Sequence, residues 1–237
     1  MSQLHRFYVP DLARQGDGVS LSDDERHHAL NVVRVRPGQP IELFDGEGRR
    51  CDAEVVAAGR RHLEISRHSI HEEAKAEPRL ALAQAWLNHE RTMQRIVEDC
   101  TALGVDRFLF FQAAHSERTP RGEDKWRRWA IESCKQCGRN RLPGFDFTLG
   151  IGNCLASAPG WDAVIATKHA EPVPLEEAVC GSSQVMVLIG PEGDYSASEL
   201  QQAIASGAKP ISLGPRTLRS ELAATVAVTL VQQRLAR

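Results

Sequence analysis

Between Arg79 and the C-terminus, short apolar runs alternate with longer segments in which apolar residues recur every three or four positions. The runs "LALAQAW", "DRFLFF", "DAVIAT", "QVMVLI" and "PISLG" predict strands, and "ERTMQRIVEDCTAL", "DKWRRWAIESCKQ", "PLEEAV", "SASELQQAIAS" and "SELAATVAVTLVQQRL" predict helices. Strands that are apolar at nearly every position are buried on both faces, so the alternation predicts a parallel sheet covered by helices. Residues 1–72 follow another rule. A short strand at "RFYV" and a helix at "LSDDERHHALNVVR", opened by a capping box of Ser22 and Glu25, come first. From Val35 to Ile70, apolar and polar residues then alternate between the turn signals Pro37-Gly38, Asp45-Gly46 and Gly59, which predicts a compact β-barrel. The polar stretch "HEEAKAEP", residues 71–78, reads as the linker between a barrel over 1–72 and an α/β domain over 73–237.

Charge changes this picture only locally. The formal net charge of the 237 residues is -2, so a nucleic-acid surface has to be confined to part of the chain. Residues 115–143 supply one candidate, with eight Lys or Arg against four Asp or Glu and with Trp126 and Trp129 interleaved with Arg127 and Arg128. The plainer alternative is a solvated helix face whose tryptophans sit in the core. The apolar runs are far shorter than the roughly 20 residues of a membrane span, and the N-terminus lacks the apolar region of a secretory signal. The expectation is a cytosolic protein with no membrane partner. Six scattered cysteines in a chain of this size are expected to be reduced. Cys134 and Cys137 alone form C-x-x-C, and no second Cys or His pair stands at zinc-ligand spacing, so no metal is expected.

Candidate chemistry sits in two similar stretches. "LIGPEGDYSASEL", residues 188–200, places Gly190-Pro191-Glu192-Gly193 between a strand and a helix opened by a capping box of Ser196 and Glu199. No Lys-Ser or Lys-Thr follows the glycines, and Glu192 and Asp194 would repel a phosphate, so a nucleoside triphosphate loop is disfavoured. A ligand with a cationic reacting end and an adenosine body, such as S-adenosylmethionine, suits backbone groups presented by glycines and a proline; a simple tight turn remains the alternative. "LGPRTLRSELAATVAV", residues 213–228, repeats the arrangement: a strand ends in Gly-Pro, a loop carries Arg216 and Arg219, and a helix starts near Ser220 and Glu221. In that helix Leu222, Val226 and Leu230 form a stripe for core or partner-helix packing. Two such loops on neighbouring strands would line one pocket.

Together with "RFYV", "HHALNVVRVRPGQPIELFDGEG" and "QCGRNRLP", these stretches resemble, in order and over essentially the whole chain, the bacterial 16S rRNA (uracil-N3)-methyltransferases of the SPOUT class. The resemblance implies a PUA-like barrel preceding a SPOUT α/β domain with a trefoil knot, S-adenosylmethionine as methyl donor, 16S rRNA or the small ribosomal subunit as substrate, and a homodimer. It places the cofactor at Leu188, Ile189, Gly190, Pro191, Glu192, Gly193, Leu213, Gly214, Arg216 and Leu218. It implies catalytic roles for Gln136, Arg139, Arg219 and Glu221, and RNA contacts for Arg6 and Arg34, which Arg127 and Arg128 of the basic stretch would join. Four positions depart from the family's pattern: Thr92 stands for a Lys, Ala102 for a Glu, Asp194 for a second Gly, and Leu222 for a Thr. These departures motivate the alternative of an RNA-binding homologue without the chemistry. A redox protein built on Cys134 and Cys137 is the third reading.

Overall fold

The computed structural model describes residues 4–16, 18–60, 62–74, 77, 79–116 and 124–235. The chain divides into two units, Met1–Ala76 with Ile131–Leu142, and Glu77–Ala130 with Pro143–Arg237. Residues 75, 76 and 78 of the expected linker, and 117–123 of the basic stretch, lie outside the described residues.

The first unit is a five-stranded sheet of β1 (His5–Tyr8), β2 (Gly18–Val19), β3 (Pro40–Phe44), β4 (Arg49–Ala58) and β5 (Leu63–Glu72) in the order β1-β3-β4-β5-β2. β1 runs parallel to β3 and the other pairs are antiparallel. Alternation along β4 sends Cys51, Ala53 and Val55 into a core with Phe7, Leu12, Ile41, Leu43 and Ile65. Two register shifts in the β4–β5 ribbon, between Cys51 and Ala53 and between Val55 and Ala57, bend the strands around that core.

The expected helix at 21–34 forms in two parts. α1 (Asp23–His27) gives way to a π-helix over His28–Val33, which ends at Arg34 in the left-handed region at φ 58°. Apolar periodicity cannot distinguish the two hydrogen-bonding patterns. Ser22 caps α1 through the Glu25 N–H, but the Glu25 carboxylate turns instead to the Tyr8 N–H at 3.3 Å and the Lys135 ammonium at 3.0 Å.

The second unit is an all-parallel sheet of β6 (Leu80–Ala85), β7 (Arg107–Gln112), β8 (Gly144–Leu149), β9 (Asp162–Ala166), β10 (Val185–Ile189) and β11 (Lys209–Ile211), ordered β11-β9-β10-β6-β7-β8. Every residue of β6 and β10 is buried, Gln84 of β6 included, as the nearly continuous apolar runs predict. The helices of this unit are α2 (Glu90–Ala102), the first half of α3 (Asp124–Cys137), α4 (Gly150–Ala156), α5 (Leu175–Ala178), α6 (Ala197–Ala205) and α7 (Ser220–Leu235). Ile151 and Cys154 of α4 join Leu200 and Ala203 of α6 over one face, against Ala81, Leu109, Met186 and Leu188. α7 leaves the β11 edge and returns to pack on β6, β10 and α2. β8 and α4 are additions to the elements expected from the sequence, and "GIGNCL" is the first six residues of α4.

Candidate functional site

Three parallel strands, β9, β10 and β11, end at one cavity of about 490 Å³, with the start of α2 completing its wall through His89 and Thr92. Such a position is where open parallel sheets hold ligands, because the loops leaving the strands' carboxyl ends point their backbone groups into one crevice. From the β10 loop come Ile189, Gly190, Pro191, Glu192 and Asp194; from the β11 loop come Leu213, Gly214, Arg216, Leu218, Arg219 and Glu221. The two Gly-Pro stretches are thus brought together, although 24 residues separate their glycines.

Two expected cofactor positions lie elsewhere. Leu188 is fully buried and packs its side chain into the core with α4 and α6, so it stands behind the cavity rather than in its wall. Gly193 lies under His115, whose own Cβ would be 3.1 Å from a Cβ added there. The wall also takes in residues outside the expected set: the β9 end, Ala166, Thr167 and Lys168, and also Thr217, Ser220 and Ala223. The recognisable signal for the first three was their place just past a predicted parallel strand.

Each loop is held by specific bonds. In the β10 loop, Ser196 and Glu199 form the complete capping box, and Glu199 also accepts from the Ala114 N–H at 2.7 Å. Asp194 adopts φ 61°, a conformation that Asp tolerates better than most side chains, and its Oδ1 accepts from the Tyr195 N–H at 2.8 Å. The Tyr195 ring packs against Gly190, where a Cβ would come within 3.1 Å, and burial pushes its phenol well above the usual range. The β11 loop contains Gly214 at φ 110°, which demands glycine. Beneath both loops the buried Ser220 hydroxyl donates to the Gly190 carbonyl at 2.7 Å and accepts from Gln84 Nε2 at 3.0 Å.

The cavity wall carries Lys168, Arg216 and Arg219 against Glu192, Asp194 and Glu221, a balanced set. A polyphosphate would require an excess of positive charge; a compact zwitterion with an added cationic centre does not. Apolar Ile189, Leu213 and Leu218 provide surfaces for a heterocycle, and the volume falls within the range of small-molecule sites. The residues present fit S-adenosylmethionine.

In the first unit, Gln136 is exposed and Arg139 half-buried, while Arg34 is exposed. Arg127 and Arg128, on the part of α3 belonging to the second unit, are exposed. Arg6 corrects the expectation of an RNA contact. It is only 7% exposed, its guanidinium bonds to Glu42 Oε1 at 2.5 Å, to the Cys134 carbonyl at 2.6 Å and to the Asn140 side chain, and it lies over the Phe44 ring. Those donors are used inside the unit. Cys134 is buried, its thiol pushed up to about 12 chiefly by that burial, whereas Cys137 is exposed, so the C-x-x-C pair does not present two thiolates at one surface. Among the described residues no group of His, Cys, Asp or Glu is arranged to hold a metal, and no helix is long and apolar enough to cross a membrane.

Comparison with known proteins converges on these two units. Residues 75–232 match the model of the RNA methyltransferase domain, and 21–66 that of the RNA methyltransferase PUA domain. A Mycobacterium bovis protein named ribosomal RNA small subunit methyltransferase E is 30% identical, with 95% of this chain and 90% of the relative covered. The crystal structure of the enzyme of that name from Neisseria gonorrhoeae, bound to S-adenosylmethionine, is 26% identical and superposes with a TM-score of 0.86 over 98% of both chains. A Legionella pneumophila methyltransferase with bound cofactor gives the same TM-score at 25% identity over 98% of each chain. The fold is accordingly a PUA unit followed by an α/β RNA methyltransferase unit with a parallel sheet.

Proposed function

This chain belongs to the RNA methyltransferase family, and on that premise we propose that it methylates N3 of a uridine in 16S rRNA with S-adenosylmethionine as donor. The observation that carries the reading is the charge-balanced cavity formed by the β10 and β11 loops. Ile189, Gly190, Pro191, Glu192, Leu213, Gly214, Arg216 and Leu218 hold the cofactor, which when bound supplies an electrophilic methyl group on a sulfonium centre.

The protein's share of the chemistry is positioning and charge. Methyl transfer is an in-line displacement, so holding the accepting nitrogen collinear with the donor removes much of the barrier. Uridine N3 is a poor nucleophile until it loses its proton. Arg219, exposed on the cavity wall, stabilises the uridine anion through the base oxygens. Glu221 stands in the first turn of α7, where the helix dipole favours its charged form; it orients Arg219 and caps the helix rather than acting as the base. N3 lies on the pairing edge, so the target is an unpaired or flipped-out uridine. Gln136 and Arg139 of the first unit, together with Arg34, Arg127 and Arg128, engage the RNA.

Methylation of purified small ribosomal subunits tests this. Arg219→Ala and Arg139→Ala are each expected to bind S-adenosylmethionine as the parent does while losing about 100-fold in methyl transfer. Unchanged turnover in both variants would overturn the assignment.

We assign the outer face of α7 to a second copy of the chain. Leu222 and Leu230 are 49% and 38% exposed, and with half-buried Val226 they form an apolar stripe opposite the face that carries Ala224, Val228 and Val231 into the core. A helix apolar on both sides is normally covered on both. Light scattering is expected to give twice the chain mass, falling to one in Leu222→Asp with Leu230→Asp; a parent protein of single-chain mass would refute the dimer.

A further inference from the structure

Ser220 ties the two cofactor loops together only at their buried base; on the solvent side a different element reaches both. Two consecutive residues after β9 make the connections. Lys168 Nζ donates to the Pro215 carbonyl and to Thr217 Oγ1, each at 3.1 Å, and so holds the β11 loop. His169 Nε2 lies 3.1 Å from Asp194 Oδ2 and so holds the β10 loop. The turn that sends the two side chains to opposite loops is itself fixed. Thr167 donates its N–H to the Ile211 carbonyl at 3.3 Å, and its hydroxyl accepts from the His169 N–H at 3.1 Å. Thr167 and Lys168 belong to the cavity wall, so this bridge crosses the site rather than lying beside it.

We propose that Lys168 and His169 form a strap joining the two cofactor loops, acting as positioning residues that slow the release of bound S-adenosylmethionine. The inference rests on the cofactor reading above. A ligand enclosed by two loops leaves when the loops part, and parting them stretches both connections while leaving the core of the sheet undisturbed. Asp194 is the residue through which the β10 loop is held. Its left-handed backbone would suit glycine, but a glycine would offer His169 no carboxylate. Both connections are solvent-exposed, so each contributes modestly, and the strap's effect belongs in the kinetics of release rather than in the stability of the fold.

Stopped-flow displacement of S-adenosylmethionine from the full-length protein tests the strap. Lys168→Met removes the ammonium. Asp194→Asn preserves the left-handed residue and the acceptor for Tyr195 but removes the charge facing His169. Each is expected to release the cofactor about threefold faster and the double variant about tenfold faster, with melting temperatures of the ligand-free proteins unchanged and the parent rate restored in Lys168→Arg. Release at the parent rate in both single variants overturns the strap, as does a faster release accompanied by a lowered ligand-free melting temperature. If the parent itself shows no saturable binding, the cofactor reading fails instead.

Discussion

The β10 and β11 loops begin alike, with a strand, a Gly-Pro step and a helix opened by a serine, yet they differ in how much of their bonding is internal. Besides its ties to His115, His169 and Ser220, the β10 loop is wired to itself and to its own helix: Asp194 caps Tyr195, Ser196 and Glu199 bond reciprocally, and the Tyr195 ring fills the space beside Gly190. In the β11 loop, residues 214–217 are all exposed, and Lys168 and Ser220 connect it to other segments. A loop that carries its own bonds keeps its shape when its neighbours move. A loop tied from outside has a shape only relative to its partners, which is useful where a ligand has to enter and leave. The two helix-opening serines therefore have different work, and exchanging each for alanine separates the two modes.

Ser220→Ala should have the larger effect. It leaves the half-buried Gly190 carbonyl without its donor and removes an acceptor from Gln84, a side chain with no exposed surface. A loss of about 2 kcal/mol in stability is expected from a buried group left unpaired. Because the broken bond joins one cofactor loop to the other, affinity for S-adenosylmethionine should fall as well. Chemical denaturation of the ligand-free protein and calorimetric titration with the cofactor measure the two effects. A variant that loses stability but binds as the parent does would mean that the loops keep their spacing without Ser220.

How much of this was legible beforehand follows from the range of the interactions involved. β6 and β10 are readable because burial on both faces leaves a nearly continuous apolar record in the sequence, broken in β6 by Gln84 alone. β8 is an edge strand, exposed at both ends and half-buried between, and its Phe145 and Phe147 acquire meaning only against Phe108 and Phe110 on β7. Arg6 reads as a surface cation because nothing near it in sequence reveals Glu42, Cys134 and Asn140, the groups that bury and satisfy it. The two glycine loops announce themselves through local turn chemistry, and so the cavity could be anticipated. Lys168 is legible only by its place just past a predicted strand; its bonds are not, since their partners lie 47 and 49 residues away. Backbone loops that line the cavity are thus more legible than the side chains that hold them in place.

Ser196→Ala should have the smaller and narrower effect, and it isolates the self-contained loop. The hydroxyl accepts from the Glu199 N–H at 3.3 Å and donates to Glu199 Oε2 at 2.8 Å, while Glu199 Oε2 also accepts from the Ser196 N–H at 2.9 Å. Alanine removes the first two bonds and keeps the third, and Glu199 Oε1 still anchors to the Ala114 N–H. Loss of an N-cap hydroxyl costs about 1 kcal/mol, and part of it is recovered here because the glutamate's other bonds persist. Asp194, Tyr195 and His115 continue to define the cavity side of the loop, His115 through contacts of 3.0 and 2.9 Å to the Gly193 and Asp194 carbonyls. Stability should therefore drop by less than in Ser220→Ala while cofactor affinity remains that of the parent. An affinity loss equal to that of Ser220→Ala would show that the two loops are coupled throughout, and that the contrast between internal wiring and external ties has no functional content.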